Sequence, residues 1–299
     1  MNLPFCIWLW KRAAAGDDVE LVVHEPFVEF TRSSVAQNLV AAVQRVMTTI
    51  LLSAARRVWI TIPAWEALLR PFSFGKRIPF GWLPIPSSLK EQDRDAIAAV
   101  RETLLGRSTR IVGHFGTYGD LVAPLLTAAI DAIARRSPDI RFHLIGIGSE
   151  TFRARLIAGL PRLDGRVSAS GALELQDVSA HVAACDVLLQ PYPDGISSRR
   201  TTAMAGLSLG VPVVTTKGHL TEQFWETSGA VRISPVGDAA RLADDTIALL
   251  DDDRERTRLA EAARAFYDRE FDVRHAVRAL TGAGSVPIPD GALTAGEIR

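Results

Sequence analysis

Cysteine, lysine and tyrosine are scarce in this chain, which carries two, four and three of them among 299 residues. Cys6 and Cys185 lie far apart and form no CxxC, which argues against a disulfide scaffold and for a reducing, cytoplasmic compartment. Charge of one sign is lacking too: 34 basic residues meet 34 acidic ones, so nothing global steers the protein to nucleic acid or an acidic membrane. Any phosphate recognition is therefore local. Long hydrophobic runs are absent. The opening MNLPFCIWLW is too short to span a bilayer and lacks the basic start and small-residue cleavage site of a signal peptide, so it reads as helix or packing surface. Residues 39 to 62 are apolar, but Gln44, Arg45, Arg56 and Arg57 interrupt them, which predicts an amphipathic helix followed by a strand. There is no HExxH, no Cys/His cluster, no Walker motif and no DxD at a strand end, and no GxSxG is recognised, so neither metal-dependent hydrolysis nor serine-hydrolase chemistry is expected. Asp251 to Asp253 read as a solvated turn between two helices.

What is present is an alternation. Short runs rich in Val, Ile and Leu exchange with longer Ala/Arg/Leu/Glu segments of helical period, which predicts an α/β fold of βαβ units around parallel sheets. Strands are expected at 19–25, 57–63, 109–115, 140–148, 165–170, 186–192, 211–216 and 230–234. Helices are expected near 35–55, 91–105, 119–136, 150–160, 174–184, 199–209, 238–250 and 254–268. Pro and Gly punctuate 71–88 without period, marking a boundary between a partial N-terminal domain (1–82) and a complete doubly wound domain (83–280), with a flexible tail at 281–299. The first domain has only two or three strands, too few to cover its own edge, so either the chain lacks its beginning or a protein partner covers it.

Ligands of open α/β sheets bind at the carboxyl ends of the strands, and three stretches fall there. In GHFGTYG, Gly113, Gly116 and Gly119 permit close backbone approach, with His114 and Tyr118 between them; the spacing is not that of the dinucleotide fingerprint. In GIGSE, Gly146 and Gly148 let part of a nucleotide cross a strand end. In PDGISSRRTT, Asp194 and Gly195 make a turn, Ser197 or Ser198 caps the next helix, and Arg199 or Arg200 meets a diphosphate at the helix start. With thirty arginines in the chain a bare pair means little; its position at a helix start, where a cation opposes the dipole unless an anion is bound, is the signal.

From about Leu83 to Leu280 the chain resembles the donor half of family-four glycosyltransferases of the GT-B fold. The likeness rests on the order of IVGHFGTYGD, PDIRFHLIGIGSE, a lone Gly171, ACDVLLQP and AMAGLSLGVPVVTT. VVHEPF and VWITIPAWEALL resemble the last part of the acceptor domain, a partial Rossmann-like unit. The resemblance implies a retaining hexosyltransferase that needs neither metal nor cofactor and takes a nucleotide diphosphate sugar as co-substrate. The acceptor would be a polysaccharide or lipid-linked glycan, with peripheral contact to a membrane and no nucleic acid. Residue by residue it places Gly146 and Gly148 beside the nucleotide, Leu173 in the segment that meets the base, Asp194 where the first Glu of the paired motif stands, and Thr202 where the second stands. His114 and Tyr118 occupy the place of the usual Arg and Lys, and Arg199 or Arg200 is expected to supply the missing positive charge. His24, at the end of an N-domain strand, is the catalytic candidate for touching the transferred sugar or acceptor. The alternatives are a nucleotide-sugar-binding or assembly protein that has lost turnover, and a GT-B epimerase, for which no acid/base set is found.

Overall fold

The computed structural model describes residues 2–106 and 108–282. The chain divides into two units, Met1–Ile85 with Arg274–Arg299, and Pro86–Val273. The expected boundary at 82 moves because Leu83 still donates to the Ile60 carbonyl at 2.8 Å, and because Ala276 and Ala279 pack with Trp59 and Leu83. Residues 274–280 thus go with the first unit, not the second. Most of the tail expected from 281 lies outside the described residues.

The first unit runs α1 (Leu3–Ala14), β1 (Glu20–Val23), α2 (Val35–Ala54), β2 (Arg57–Ile60), α3 (Ala64–Leu69), a 3-10 turn (Arg70–Ser73) and β3 (Phe80–Trp82). Its sheet has three parallel strands in the order β1-β2-β3. β3 falls inside the Pro/Gly-punctuated stretch that showed no strand period; three residues are too few to reveal one. Asn2 caps α1 by accepting the Phe5 amide, and Ser34 caps α2 by accepting that of Gln37. By length and composition α2 could cross a membrane, yet it is the crossover from β1 to β2, packed on α1. It buries Ala41, Thr48 and Leu52, spaced as one helical face.

The second unit runs α4 (Arg94–Leu105), β4 (Arg110–Phe115), α5 (Ala123–Arg136), β5 (Ile140–Ile145), α6 (Ser149–Gly159), a 3-10 turn (Pro161–Leu163), β6 (Val167–Ala169), α7 (Leu175–Ala183), β7 (Val187–Gln190), α8 (Thr201–Ser208), β8 (Val213–Lys217), α9 (Gln223–Thr227), β9 (Arg232–Pro235), α10 (Ala239–Asp251) and α11 (Asp253–Glu270). A last helix, α12 (Val273–Leu280), leads back to the first unit. The six strands are all parallel, in the order β6-β5-β4-β7-β8-β9. Val112, Phe142, Leu144, Val187, Leu189 and Val214 form the buried layer, covered by Leu126, Ile130 and Ile133 of α5 and Leu242 and Leu249 of α10. Near-continuous apolar runs are what strands need when both faces are covered. Asp252, within the acidic run, caps α11 by accepting the Arg254 and Glu255 amides.

This strand order reverses between β4 and β7. The chain leaves β4 toward β5 on one side and reaches β7 only later, on the other side, so the loops after β4 and β7 diverge and leave a crevice at their carboxyl ends.

Candidate functional site

The crevice is walled by three loops. After β4, the amide of Gly116 donates to the Ile145 carbonyl at 3.2 Å, tying this turn to the end of β5. Gly146 follows at φ 113°, and a Cβ there would stand 2.9 Å from the Gly116 carbonyl oxygen, so only glycine lets the two turns close on each other. The Gly146 amide in turn donates to Ser170 Oγ, just past β6, at 3.1 Å.

His114, the penultimate residue of β4, is 4 % exposed. Its Nδ1 sits 2.8 Å from the Leu189 carbonyl and so carries the proton. Nε2 is buried without a hydrogen-bond partner. Burial pushes the imidazole pKa down to about 4, against the pull of the Leu189 and Thr117 carbonyls, so the ring is neutral and Nε2 presents a lone pair. A Cβ placed on Gly116 would stand 3.7 Å from this nitrogen and 3.5 Å from the Thr202 methyl, so the turn, His114 and Thr202 converge. Gln190, the last residue of β7, donates its amide to the Phe115 carbonyl at 2.9 Å and leaves Oε1 buried and unpaired.

The loop from β7 to α8 is fastened to the segment after β8. Thr216 Oγ1 donates to the Tyr192 carbonyl at 2.6 Å and accepts the Tyr192 amide at 2.8 Å; the Leu220 amide donates to the Asp194 carbonyl at 3.0 Å. Gly195 is held at φ 87°, where a Cβ would overlap Thr221 Oγ1 and the backbone of Gly218. On this frame Arg199 and Arg200 both form ion pairs with Asp194. The Arg200 guanidinium also lies 4.6 Å over the Tyr192 ring, whose hydroxyl meets Thr202 Oγ1 at 2.7 Å. Both guanidiniums stand at the start of α8, where helix amides favour an anion.

Residues 109–252 match the family model described as Glycosyl transferases group 1. That segment is similar to the domain which this family shares. Three solved structures share its architecture and that of the preceding unit. Anabaena Alr3699/HepE in complex with UDP and glucose has a TM-score of 0.67 and 19% identity, covering 93% of this chain and 75% of that one. Sucrose-phosphate synthase from Thermosynechococcus elongatus gives 0.69 and 20%, covering 93% and 72%. WaaG, a glycosyltransferase involved in lipopolysaccharide biosynthesis, gives 0.57 and 15%, covering 95% and 96%. At such identities the likeness establishes the GT-B fold. No curated protein matches in sequence.

Within this segment the expected donor-site residues divide. Gly116, Gly146, Gly148, His114, Asp194, Arg199, Arg200 and Thr202 stand at the carboxyl ends of the strands, as expected. Gly113 does not: it lies inside β4, where a Cβ would overlap Cys185 Sγ, and is a packing position. Tyr118 turns its hydroxyl inward to the Ile145 carbonyl (3.1 Å) and the His114 carbonyl (3.3 Å) and stacks on Phe152, so it braces the turn and offers no polar group to a ligand. Neither Ser197 nor Ser198 caps α8. The cap position is Arg200, Ser197 Oγ is buried without a partner, and Ser198 spends its amide and hydroxyl on Glu222. Gly195 serves loop packing. Leu173 is half-buried in the loop before α7. His24 lies in the other unit, exposed just past β1, its carbonyl accepting Thr61 Oγ1 at 3.0 Å and Trp65 Nε1 at 2.9 Å.

Sequence reasoning missed Gln190 and Glu222. Gln190 ends a strand that reads as wholly buried, which was a signal: a buried polar residue needs partners. One motif was overlooked in the other direction. Gly206-Leu207-Ser208-Leu209-Gly210 spells GxSxG, but it is the end of α8 and not a strand-to-helix elbow, and the buried Ser208 hydroxyl donates to the Ala205 carbonyl at 3.1 Å. Serine-hydrolase chemistry has no geometry here.

Proposed function

We propose that this protein transfers a hexose from a nucleoside diphosphate sugar to a glycan or lipid-linked acceptor, with retention at the anomeric carbon. What carries the reading is one juxtaposition: two buried, unpaired acceptors, His114 Nε2 and Gln190 Oε1, at the switch-point ends of β4 and β7, with the two guanidiniums of the Asp194–Arg199–Arg200 cluster on the loop that follows β7. Buried polar atoms are left unpaired in few places, and a crevice that receives a ligand is one of them. The lone pairs suit sugar hydroxyls, which donate. The guanidiniums and the first amides of α8 suit the diphosphate, which accepts.

In this reading the diphosphate leaves as the anomeric C–O bond breaks, and its growing charge is met by the Arg199/Arg200 pair. The acceptor hydroxyl oxygen forms the new bond to the anomeric carbon on the face the diphosphate leaves, and its proton passes to the leaving phosphate oxygen, so the chain's own residues position groups and stabilise charge without a general base. Nothing in the reaction as written calls for a metal or a resident cofactor. His24 is the candidate in the N-terminal unit for contact with the acceptor or the transferred sugar. Exposed Phe5, Trp8 and Trp10 on α1 support peripheral contact with a membrane from the cytoplasmic side.

Calorimetric titration with UDP, GDP, ADP and their glucose conjugates tests the donor site, and a product assay with the selected donor tests turnover. Saturable one-to-one binding of one nucleoside diphosphate is expected. Binding without any transfer or donor hydrolysis would favour the assembly-protein alternative.

A further inference from the structure

Glu222 begins the segment into α9 and is 3 % exposed, yet no lysine or arginine pairs with it among the described residues. Its carboxylate is held by donors alone. Oε1 accepts the Ser198 amide at 3.0 Å and also the Ser198 hydroxyl, and Oε2 accepts Trp225 Nε1–H at 2.9 Å. Trp225 is in turn fixed by stacking on Phe271, rings parallel at 5.3 Å, and by an edge contact with Phe266. The anchor is therefore rigid, and what it grips is the residue immediately before Arg199. A buried carboxylate without a cation is costly to keep. Packing alone would be served by an apolar residue of similar size.

We infer that Glu222 is the positioning residue of the donor site: by binding the main chain and hydroxyl of Ser198 it sets the loop from which Arg199 and Arg200 project. This rests on the donor-site reading above. The grip is strongest for the ionised carboxylate, which accepts all three hydrogen bonds, whereas the protonated acid turns one oxygen into a donor facing donors. Burial raises this carboxyl to about pKa 7, against the opposing hydrogen bonds from Ser198 and Trp225, so the grip changes within the neutral range. The charged and titratable groups on the surrounding segments are Asp194, Arg199 and Arg200 on the gripped loop and Lys217, His219 and Glu226 around Glu222 itself. Lys217 pairs with Glu226, and none of the six forms an ion pair with Glu222.

The experiment titrates UDP, GDP and ADP into the wild-type chain, Glu222→Gln and Ser198→Ala at pH 6.0 to 8.5, with thermal unfolding of each variant. At pH 8, Glu222→Gln is expected to weaken nucleotide binding about tenfold, the equivalent of one charge-assisted hydrogen bond. The ratio of its Kd to the wild-type Kd should shrink toward one as the pH falls through 7. Because it is a ratio, the nucleotide's own ionisation cancels. Ser198→Ala keeps the amide arm and should weaken binding severalfold while retaining the wild-type pH dependence, which preserves the test if Glu222→Gln does not fold. A ratio that is constant with pH, or a Ser198→Ala chain with wild-type affinity, overturns the Glu222 role and leaves the donor site standing. Failure of the wild-type chain to bind any of the three nucleotides overturns both.

Discussion

Asp194 closes an ion pair on Arg199 five residues further along the same loop, with only 16% and 9% of the two side chains exposed. The carboxylate thus fixes the direction in which this guanidinium points. Arg199→Ala and Arg200→Ala are each expected to lower kcat/KM for the donor by about 2 to 4 kcal/mol in barrier terms, the range for losing one charge-stabilising contact. Steady-state kinetics with the selected nucleotide sugar checks this. An unchanged kcat/KM in both variants removes the arginines from the chemistry.

His114 makes a prediction of a different kind, because its free nitrogen is an acceptor and not a cation. His114→Phe should leave affinity for the selected nucleoside diphosphate nearly unchanged and weaken its sugar conjugate by about 0.5 to 1.5 kcal/mol, the net worth of one neutral hydrogen bond. Comparing the two ligands on the same variant cancels any general loosening from the lost contact to Leu189. Equal losses for both ligands would place His114 at the diphosphate.

Stability should rise with pH through the weakly acidic range. Burial holds His114 at about 4 and His143 at about 3, below their unfolded value of 6.5, so both bind a proton more readily when unfolded. Their contribution is fully present above pH 6.5 and is lost as the pH falls toward those lower values. Glu222, raised to about 7, acts with the opposite sign: its protonated form favours the fold below its unfolded value of 4.5, and that contribution fades up to about 7. Between pH 4.5 and 6.5 two histidines outweigh one carboxyl. Denaturant melts should show the rise, and Glu222→Gln should steepen it by up to about 1.4 kcal/mol per pH unit. A flat curve in the wild type would contradict the burial of the two rings.

Gly195→Ala should cost more than about 2 kcal/mol, since φ 87° disfavours a side chain and the added carbon meets Thr221 and the Gly218 backbone, neither of which can yield. Thermal unfolding reads this loss directly. A wild-type melting temperature would mean that the two loops are not packed as described.

Much of this was legible in the chain. The strands from RIVGHF to VVTTK announce themselves as apolar runs because both faces are covered, and the helices between them by period, so the six-stranded unit follows from pattern alone. β3 was not legible, because three residues carry no period. The site was readable as a place more than as a set of contacts. Sequence pattern shows that His114 is near a strand end and that Tyr118 and two serines sit in turns after strands; it does not show that Tyr118 faces inward, that Gly113 is spent on Cys185, or that Ser198 reaches a carboxylate 24 positions away. Those outcomes are set by tertiary neighbours. The Arg199–Arg200 pair was located from its place before a helix, while its bracing by Asp194 required a turn whose geometry one sequence leaves open.

A crystal structure of the chain with the nucleoside diphosphate selected by calorimetry would examine the donor site itself. The proposed geometry puts diphosphate oxygens within about 3 Å of Arg199 or Arg200 and of the first amides of α8, in the crevice between the ends of β4 and β7. A nucleotide seated elsewhere, with neither guanidinium in reach of its phosphates, would contradict it.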